Sequence, residues 1–295
     1  MPDSADVIGY VGIGVMGSEM TKHLLAAGRE VHGYDPDPGR METFVSRGGI
    51  AEASPGDVAR ASGIVVFSLP KVPILESVAA EVAGAAHDSL LCIDTGTFPL
   101  EAKHAAFEVL AAAGVELMDV PLSGTGLQAA DASLVVFASG SKEGYDRAKS
   151  IFDVIGRSSY HLGEFGNGSI MKYIANLLVA IHNLSTAEAH ALGLAAGMDP
   201  ALVQTVMSDG VGSSKIFDIR GPMMVADHYE PPSARLDIIL KDATIIKAFA
   251  ESKGVVTPLL DTSLEIYRQS SSDGLGDLDA AALLRFLEKR SGITR

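Results

Sequence analysis

Short apolar runs recur along the chain as far as about Leu162, separated by stretches in which apolar residues fall every three or four places. The runs Val7 to Gly12, Glu30 to Tyr34, Ile64 to Leu69, Leu90 to Asp94, Glu116 to Val120, Leu134 to Ser139 and Ser159 to Leu162 predict strands. Met16 to Ala27 has the spacing of an amphipathic helix and stops at Gly28, a residue type suited to the position just past a helix end. Helices fill most of the other gaps. Strands alternating with helices in this way predict an α/β region built on a parallel, doubly wound sheet.

From Gly163 onward the β-rich runs nearly vanish and long helical patterns take over, which divides the chain into an α/β domain over 1–162 and an all-helical domain over 163–295. One helix spans Ser169 to Ala196 and ends at Gly197; Asp199-Pro200 then supplies a cap and a first-turn proline for the next. Further helices are expected at Ser214 to Arg220, Arg235 to Lys253, Leu259 to Ser270 and Asp279 to Lys289, with a surface loop at Ser270 to Gly274. The mostly apolar surface of the long helix suggests a buried strut, and with it a homodimer or homotetramer.

Composition narrows the function classes. A formal net charge of -14 with no basic run works against nucleic acid or an anionic membrane as a partner. No apolar run approaches the ~20 residues that span a bilayer. The stretch around Asp3 has no basic segment of the kind that opens a secretory leader. The single cysteine, Cys92, lies in the apolar run Leu90-Leu91-Cys92-Ile93 and reads as core, so a reducing cytoplasm is the expected compartment.

The chemistry begins at Gly12-Ile13-Gly14-Val15-Met16-Gly17. Glycines at this spacing are weak evidence alone, but here they follow an apolar strand and open a helix. The amides of the first helical turn and the helix dipole then converge on a phosphate. Gly12 permits the tight turn, Gly14 the close approach of a pyrophosphate, and Gly17 the packing of helix on strand. The second strand ends at Asp35, where such a fold places a carboxylate against the adenosine ribose. The expected fold is therefore a Rossmann-type sheet, and the expected cofactor is NAD. Asp35 would repel a 2′-phosphate, whereas Arg40, five residues on, keeps NADP open as an alternative.

Four segments taken together and in order resemble the β-hydroxyacid dehydrogenase family along almost the whole chain: the glycine loop, Asp119-Val120-Pro121-Leu122-Ser123-Gly124, Gly166-Asn167-Gly168-Ser169-Ile170-Met171-Lys172 with Asn176, and Leu240-Lys241-Asp242. The resemblance implies reversible oxidation of a small 3-hydroxy acid to its semialdehyde or keto acid, with Lys172 as the catalytic lysine. The chemistry agrees. Oxidation of an alcohol needs a base for the hydroxyl proton while hydride leaves carbon, and reduction of an aldehyde needs an acid in the same place. Burial beside a positively charged nicotinamide favours the neutral amine that the oxidation requires. Asn176, four residues on, shares a helix face with Lys172 and could position substrate or hold the lysine.

The resemblance further implies that Ser123 and Gly124 bind the substrate carboxylate. The family's second glycine is replaced by Thr125, whose side chain would narrow the pocket or add a hydroxyl contact. Leu69 and Pro70 resemble the loop over the cofactor ribose. Thr97 resembles the hydroxyl residue near the nicotinamide, although Gly96 stands where a serine is commoner. Lys241 is expected to reach toward cofactor or substrate. The eight histidines show no metal-ligand spacing, no metal is expected, and Ser123 has no histidine base nearby in sequence. Two rivals remain: an imine reductase-like NADPH enzyme, against which Lys172 argues, and a cofactor-binding scaffold without catalysis, against which Lys172, Asn176 and Ser123 argue.

Overall fold

The fold was obtained as a computed structural model, which describes residues 7–294; the stretch around Asp3 lies outside them. The chain forms two compact units that divide between Lys172 and Tyr173, within one helix.

The first unit runs β1 (Ile8–Val11), α1 (Val15–Ala26), β2 (Val31–Tyr34), α2 (Pro38–Ser46), β3 (Ile50–Ala51), α3 (Pro55–Ala61), β4 (Ile64–Phe67), α4 (Val72–Ala83), β5 (Leu91–Asp94), α5 (Leu100–Ala112) and β6 (Glu116–Asp119). There follow β7 (Leu122–Ser123), α6 (Gly126–Ala130), β8 (Leu134–Ala138), α7 (Lys142–Ile155) and β9 (Gly156–His161), and then α8 (Asn167–Ala195), which carries the chain into the second unit.

Strands β1 to β6 form one parallel sheet in the order β3-β2-β1-β4-β5-β6. The order runs outward from β1 in both directions, so the carboxyl ends of β1 and β4 flank the switch point at which such sheets bind ligands. Side-chain alternation sends Ile8, Tyr10, Val66 and Ile93 to one face, against Met20 and Leu24 of α1. Val65, Phe67, Cys92 and Leu117 go to the other, against Val58, Leu75, Val78 and Leu110 of α3 to α5. Helices on both faces explain why these strands read as continuous apolar runs. Cys92 sits mid-strand, opposite Val65 of β4 and Leu117 of β6, fully buried, and burial pushes its thiol pKa far up.

Helix starts follow local chemistry. Asp37 accepts from the Gly39 and Arg40 N–H groups ahead of Pro38, Ser54 caps α3 through Asp57, and Ser141 caps α7 through Gly144.

Two expectations are corrected. The runs at 134–139 and 159–162 do not extend the parallel sheet: β8 and β9 pair with each other in a separate three-stranded sheet, β7-β8-β9, in which β7 is antiparallel to β8. The chain turns back after Pro121, and paired backbone bonds between Asp119 and Ser139 join the end of β6 to the end of β8. Ser270 to Gly274 is more regular than the expected loop: Ser270 closes the preceding helix and a π-type turn over Ser271–Leu275 follows, broken at Gly274 (φ +88), with the Ser271 hydroxyl donating to Asp237 at 2.6 Å.

The second unit is all helical after α8: α9 (Pro200–Asp209), α10 (Lys215–Ala226), α11 (Leu236–Ser252), α12 (Pro258–Ser270) and α13 (Leu283–Ser291). Asp199 caps α9 with Pro200 in its first turn, as the sequence predicts. Its core holds a polar cluster. Asn183 donates to the Tyr267 hydroxyl and to the Ala280 carbonyl, and buried Arg220 lies 3.6 Å from Asp279. Burial pushes the Tyr267 hydroxyl up to about 12, keeping it protonated as the donor or acceptor the cluster needs. Among the described residues, no helix is long and apolar enough to cross a membrane.

Candidate active site

The glycine loop lies at the carboxyl end of β1. Gly12 has φ +94, and a Cβ there would meet the Ser68 carbonyl oxygen at 2.3 Å, so neither its conformation nor its neighbours admit a side chain. A Cβ on Gly17 would strike the Gly12 carbonyl oxygen at 2.2 Å, which sets how closely α1 rests on the turn. Gly14 differs: a Cβ there would meet nothing nearer than Arg40 Nη1 at 3.7 Å. The space in front of it is what a pyrophosphate needs. Gly14 is also the N-cap of α1 and provides no side-chain cap, leaving the amides of Val15, Met16 and Gly17 for another acceptor. Val15 is 74% exposed beside them. The donor set therefore fits a dinucleotide.

Asp35, just past β2, is buried and already a hinge for the loop. One carboxylate oxygen accepts the Ile13 N–H at 2.8 Å and the other the Asp37 N–H at 2.9 Å. Arg40 Nη1 lies 3.4 Å from the first of these oxygens, with half its side chain exposed. Leu69 is buried against Gly12, while Pro70 is exposed at the rim. Thr97 lies in the turn after β5, where Gly96 donates to Asp94 at 3.0 Å. A Cβ on Gly96 would enter the Phe98 ring at 2.2 Å, which explains why this chain lacks a serine there.

Ser123 closes β7 and Gly124 follows with φ +140, where a Cβ would meet Leu134 Cδ2 at 2.7 Å. Thr125 is the N-cap of α6. Its N–H donates to Gln128 Oε1 at 2.8 Å, and its hydroxyl does the same at 2.7 Å while accepting from the Leu127 N–H. Thr125 thus shapes the turn, its hydroxyl bonded to Gln128 and the Leu127 N–H. If this turn receives the substrate's acid group, Gly124→Ala, which strains it, should raise KM for the acid well ahead of KM for the cofactor; initial-rate kinetics check this.

Lys172 is buried on α8, whose first turn is tied into the first unit. Asp119, at the end of β6, accepts from the Ser169 N–H at 2.7 Å and the Ser169 hydroxyl at 2.8 Å. Fully buried Lys103 of α5 lies 2.5 Å from Asp119 and 3.0 Å from Asp94. Burial alone would discharge this lysine, but Asp119 and then Asp94 raise its pKa above the ordinary range.

Within the second unit, Asn176 Nδ2 donates to Asp242 Oδ2 at 2.8 Å, and Lys241 Nζ pairs with Asp242 Oδ1 at 3.0 Å. Asp242 therefore holds both expected residues. Sequence reasoning assigns it no role, although it falls on the apolar face of α11 that buries Ile239, Ala243 and Ile246, and a carboxylate on such a face is itself a signal. Among the described residues, no group of three or more His, Cys, Asp or Glu is placed to hold a metal ion.

Residues 7–163 match the family model for the NAD binding domain of 6-phosphogluconate dehydrogenase, and residues 166–287 that for NAD-binding of NADP-dependent 3-hydroxyisobutyrate dehydrogenase. The L-threonate dehydrogenase of Cupriavidus necator is 32% identical over 282 residues, covering 94% of this chain and 95% of that protein. The crystal structure of 3-hydroxyisobutyrate dehydrogenase from Salmonella typhimurium superposes with TM-score 0.87 at 27% identity, over 95% of this chain and 99% of that one. An imine reductase from Streptomyces aurantiacus, at TM-score 0.65 and 18% identity over 95% of this chain and 99% of its own, is similar in fold alone. The glycine loop, the lysine helix and similarity running nearly end to end place the chain in the β-hydroxyacid dehydrogenase family of nicotinamide-dependent oxidoreductases.

Proposed function

We propose that this enzyme interconverts a small 3-hydroxy acid and its semialdehyde or keto acid using NAD, with Lys172 carrying the proton. The observation that bears most weight is a buried lysine on a helix whose start is held by a buried carboxylate, one turn ahead of an asparagine that is itself held by Asp242. The bound nicotinamide supplies the hydride acceptor or donor. Lys172 takes the hydroxyl proton in oxidation and returns one to the carbonyl oxygen in reduction. Asn176, fixed by Asp242, orients the alcohol oxygen, and Lys241 reaches toward cofactor or substrate. The Ser123 hydroxyl and the Gly124 N–H receive the carboxylate, with Thr125 holding the turn. Gly12 to Gly17 cradle the pyrophosphate, Leu69 and Pro70 cover the ribose side, and Thr97 lies near the nicotinamide.

Asp35 supports NAD over NADP, because a buried carboxylate at the end of β2 repels a 2′-phosphate and accepts from ribose hydroxyls. Arg40, close to that carboxylate, is the feature that would soften the preference. The working division of labour is 1–162 for the cofactor and 163–295 for substrate and assembly. The exposed apolar side chains Ile174, Leu178 and Leu192 of α8 support a homodimer or homotetramer, and the unpaired, buried Cys92 supports a cytoplasmic setting.

A spectrophotometric screen of small hydroxy acids, L-threonate among them, with NAD and NADP in parallel tests the reading. We expect turnover of at least one acid with kcat/KM for NAD exceeding that for NADP by about ten-fold or more, a difference of ~1.4 kcal/mol. Tighter use of NADP would overturn the role given to Asp35.

A further inference from the structure

We propose that the buried cluster of Asp94, Lys103 and Asp119 is a positioning device for Lys172: Lys103 holds the Asp119 carboxylate at the start of α8, and that carboxylate fixes the turn from which Lys172 projects. The inference rests on the reading of Lys172 as the proton carrier.

The three charges come from the end of β5, the buried face of α5 and the end of β6, and none is more than 1% exposed. Stability alone does not account for them, since an apolar trio of similar volume is commonly as stable or more so. What the cluster adds is direction. Asp119 Oδ1 receives Lys103 Nζ at 2.5 Å and the Ser169 hydroxyl at 2.8 Å; Oδ2 receives the Ser169 N–H at 2.7 Å and lies 3.2 Å from the Ser139 hydroxyl. Ser139 in turn accepts the Gly168 N–H at 2.9 Å. Two successive amides at the start of α8 are thus pinned, one by a charge-assisted bond, and the negative charge sits at the positive end of the helix dipole.

Ser169 precedes Lys172 by three residues, so the pinned turn is the one on which the lysine stands. The first turn cannot fray or rotate without breaking both bonds from Ser169. A Cβ at Gly168 would lie 2.7 Å from the Asp119 carbonyl oxygen and 2.5 Å from that of Phe137, so the backbone there is also seated tightly. The opposite end of the cluster acts on the cofactor side, where Asp94 Oδ1 accepts the Gly96 N–H and sets the turn carrying Thr97. One buried lysine therefore ties the turn at Thr97 to the turn before Lys172.

Asp119→Asn is the informative variant. It leaves Asp94 and Lys103 as a balanced pair and keeps one acceptor oxygen for Ser169, while removing the charge and the second acceptor from the helix start. With thermal melts and circular dichroism showing a folded protein, kcat should fall about 10- to 100-fold, while KM for the hydroxy acid and the NADH dissociation constant stay within about two-fold. In a Lys172→Ala background the same change should have no further effect on the residual rate, because a residue acting through the lysine has nothing left to act on. Parent-like kcat in folded Asp119→Asn, or an equal loss in both backgrounds, overturns the proposal. If Asp119→Asn does not fold, Ser169→Ala carries the test: a several-fold loss of kcat at unchanged KM supports it, and an unchanged kcat overturns it. Should Lys172→Ala itself be as active as the parent, the reading of the lysine falls first and takes this inference with it; a dead Lys172→Ala beside a parent-like Asp119→Asn removes the positioning role alone.

Discussion

Replacing Lys172 with alanine should lower kcat by about 10²- to 10⁴-fold, the usual worth of a positioned acid or base, and should leave NADH affinity close to that of the parent. The separation follows from geometry. The proposed dinucleotide donors belong to the loop after β1, and Asp35 is bonded to that loop through the Ile13 amide and to its own turn through the Asp37 amide, not to α8. Lys172 lies on a different element, α8. Lys172→Arg should rescue little, since a guanidinium does not give up its proton at accessible pH and so cannot serve as base in the oxidation. Steady-state rates in both directions, followed by nicotinamide absorbance, and NADH titration of each variant check this. A Lys172→Ala enzyme with parental kcat would move the proton transfer elsewhere.

Lys103→Met should be the most destabilising single change at the cluster, costing about 3 to 5 kcal/mol by stranding two buried carboxylates, against a total of roughly 5 to 15 kcal/mol for a typical native protein. The deficit depends on pH, with a definite sign. Burial pushes the Asp94 carboxyl above its ordinary value, and Lys103 is the chief influence opposing it. Without Lys103, burial and the neighbouring Asp119 charge raise it further against the Gly96 N–H bond, so the folded state binds a proton more tightly than the unfolded chain does. Stability is then fully present below the unfolded carboxylate value of ~3.9 and is lost as pH rises from there through the raised folded value. Urea denaturation should show the full deficit near neutral pH and a smaller one near pH ~4, relative to the parent at each pH. A deficit that ignores pH would show that lost packing, not stranded charge, sets the cost.

The parts of this molecule written in local pattern are legible in the order of its residues. Continuous apolar runs at Ile8, Ile64 and Leu91 specify strands buried on both faces, and Gly12 to Gly17 specify the turn and helix start that hold a phosphate. Lys172 is singled out by the family resemblance, and the four-residue spacing on a helix adds only that Asn176 shares its face. The separate pairing of β8 with β9 is not, because two strands with ordinary alternation do not reveal which sheet they join; the turn at Pro121 and the Asp119–Ser139 pairing decide it. Lys103 is invisible for a similar reason. In Glu101-Ala102-Lys103-His104 it looks like a solvated helix residue, and only its alignment with buried Ala106 and Leu110 hints that it points inward. Its partners Asp94 and Asp119 end different strands, and the sheet alone brings them together. Asp242 is within reach, since it interrupts an apolar face at helical spacing.

Cys92 gives the parallel sheet a reporter of its own. Only the thiolate attacks an alkylating reagent, and this thiol is both sealed between β4 and β6 and held protonated by its surroundings. Modification in native buffer therefore waits on an opening event that parts central strands, not on the fraying of a loop. With no second cysteine in the chain, the mass of the labelled protein counts those openings one site at a time. A chain carrying NAD in its glycine loop would be labelled more slowly than one without, by the factor with which the cofactor favours the closed sheet.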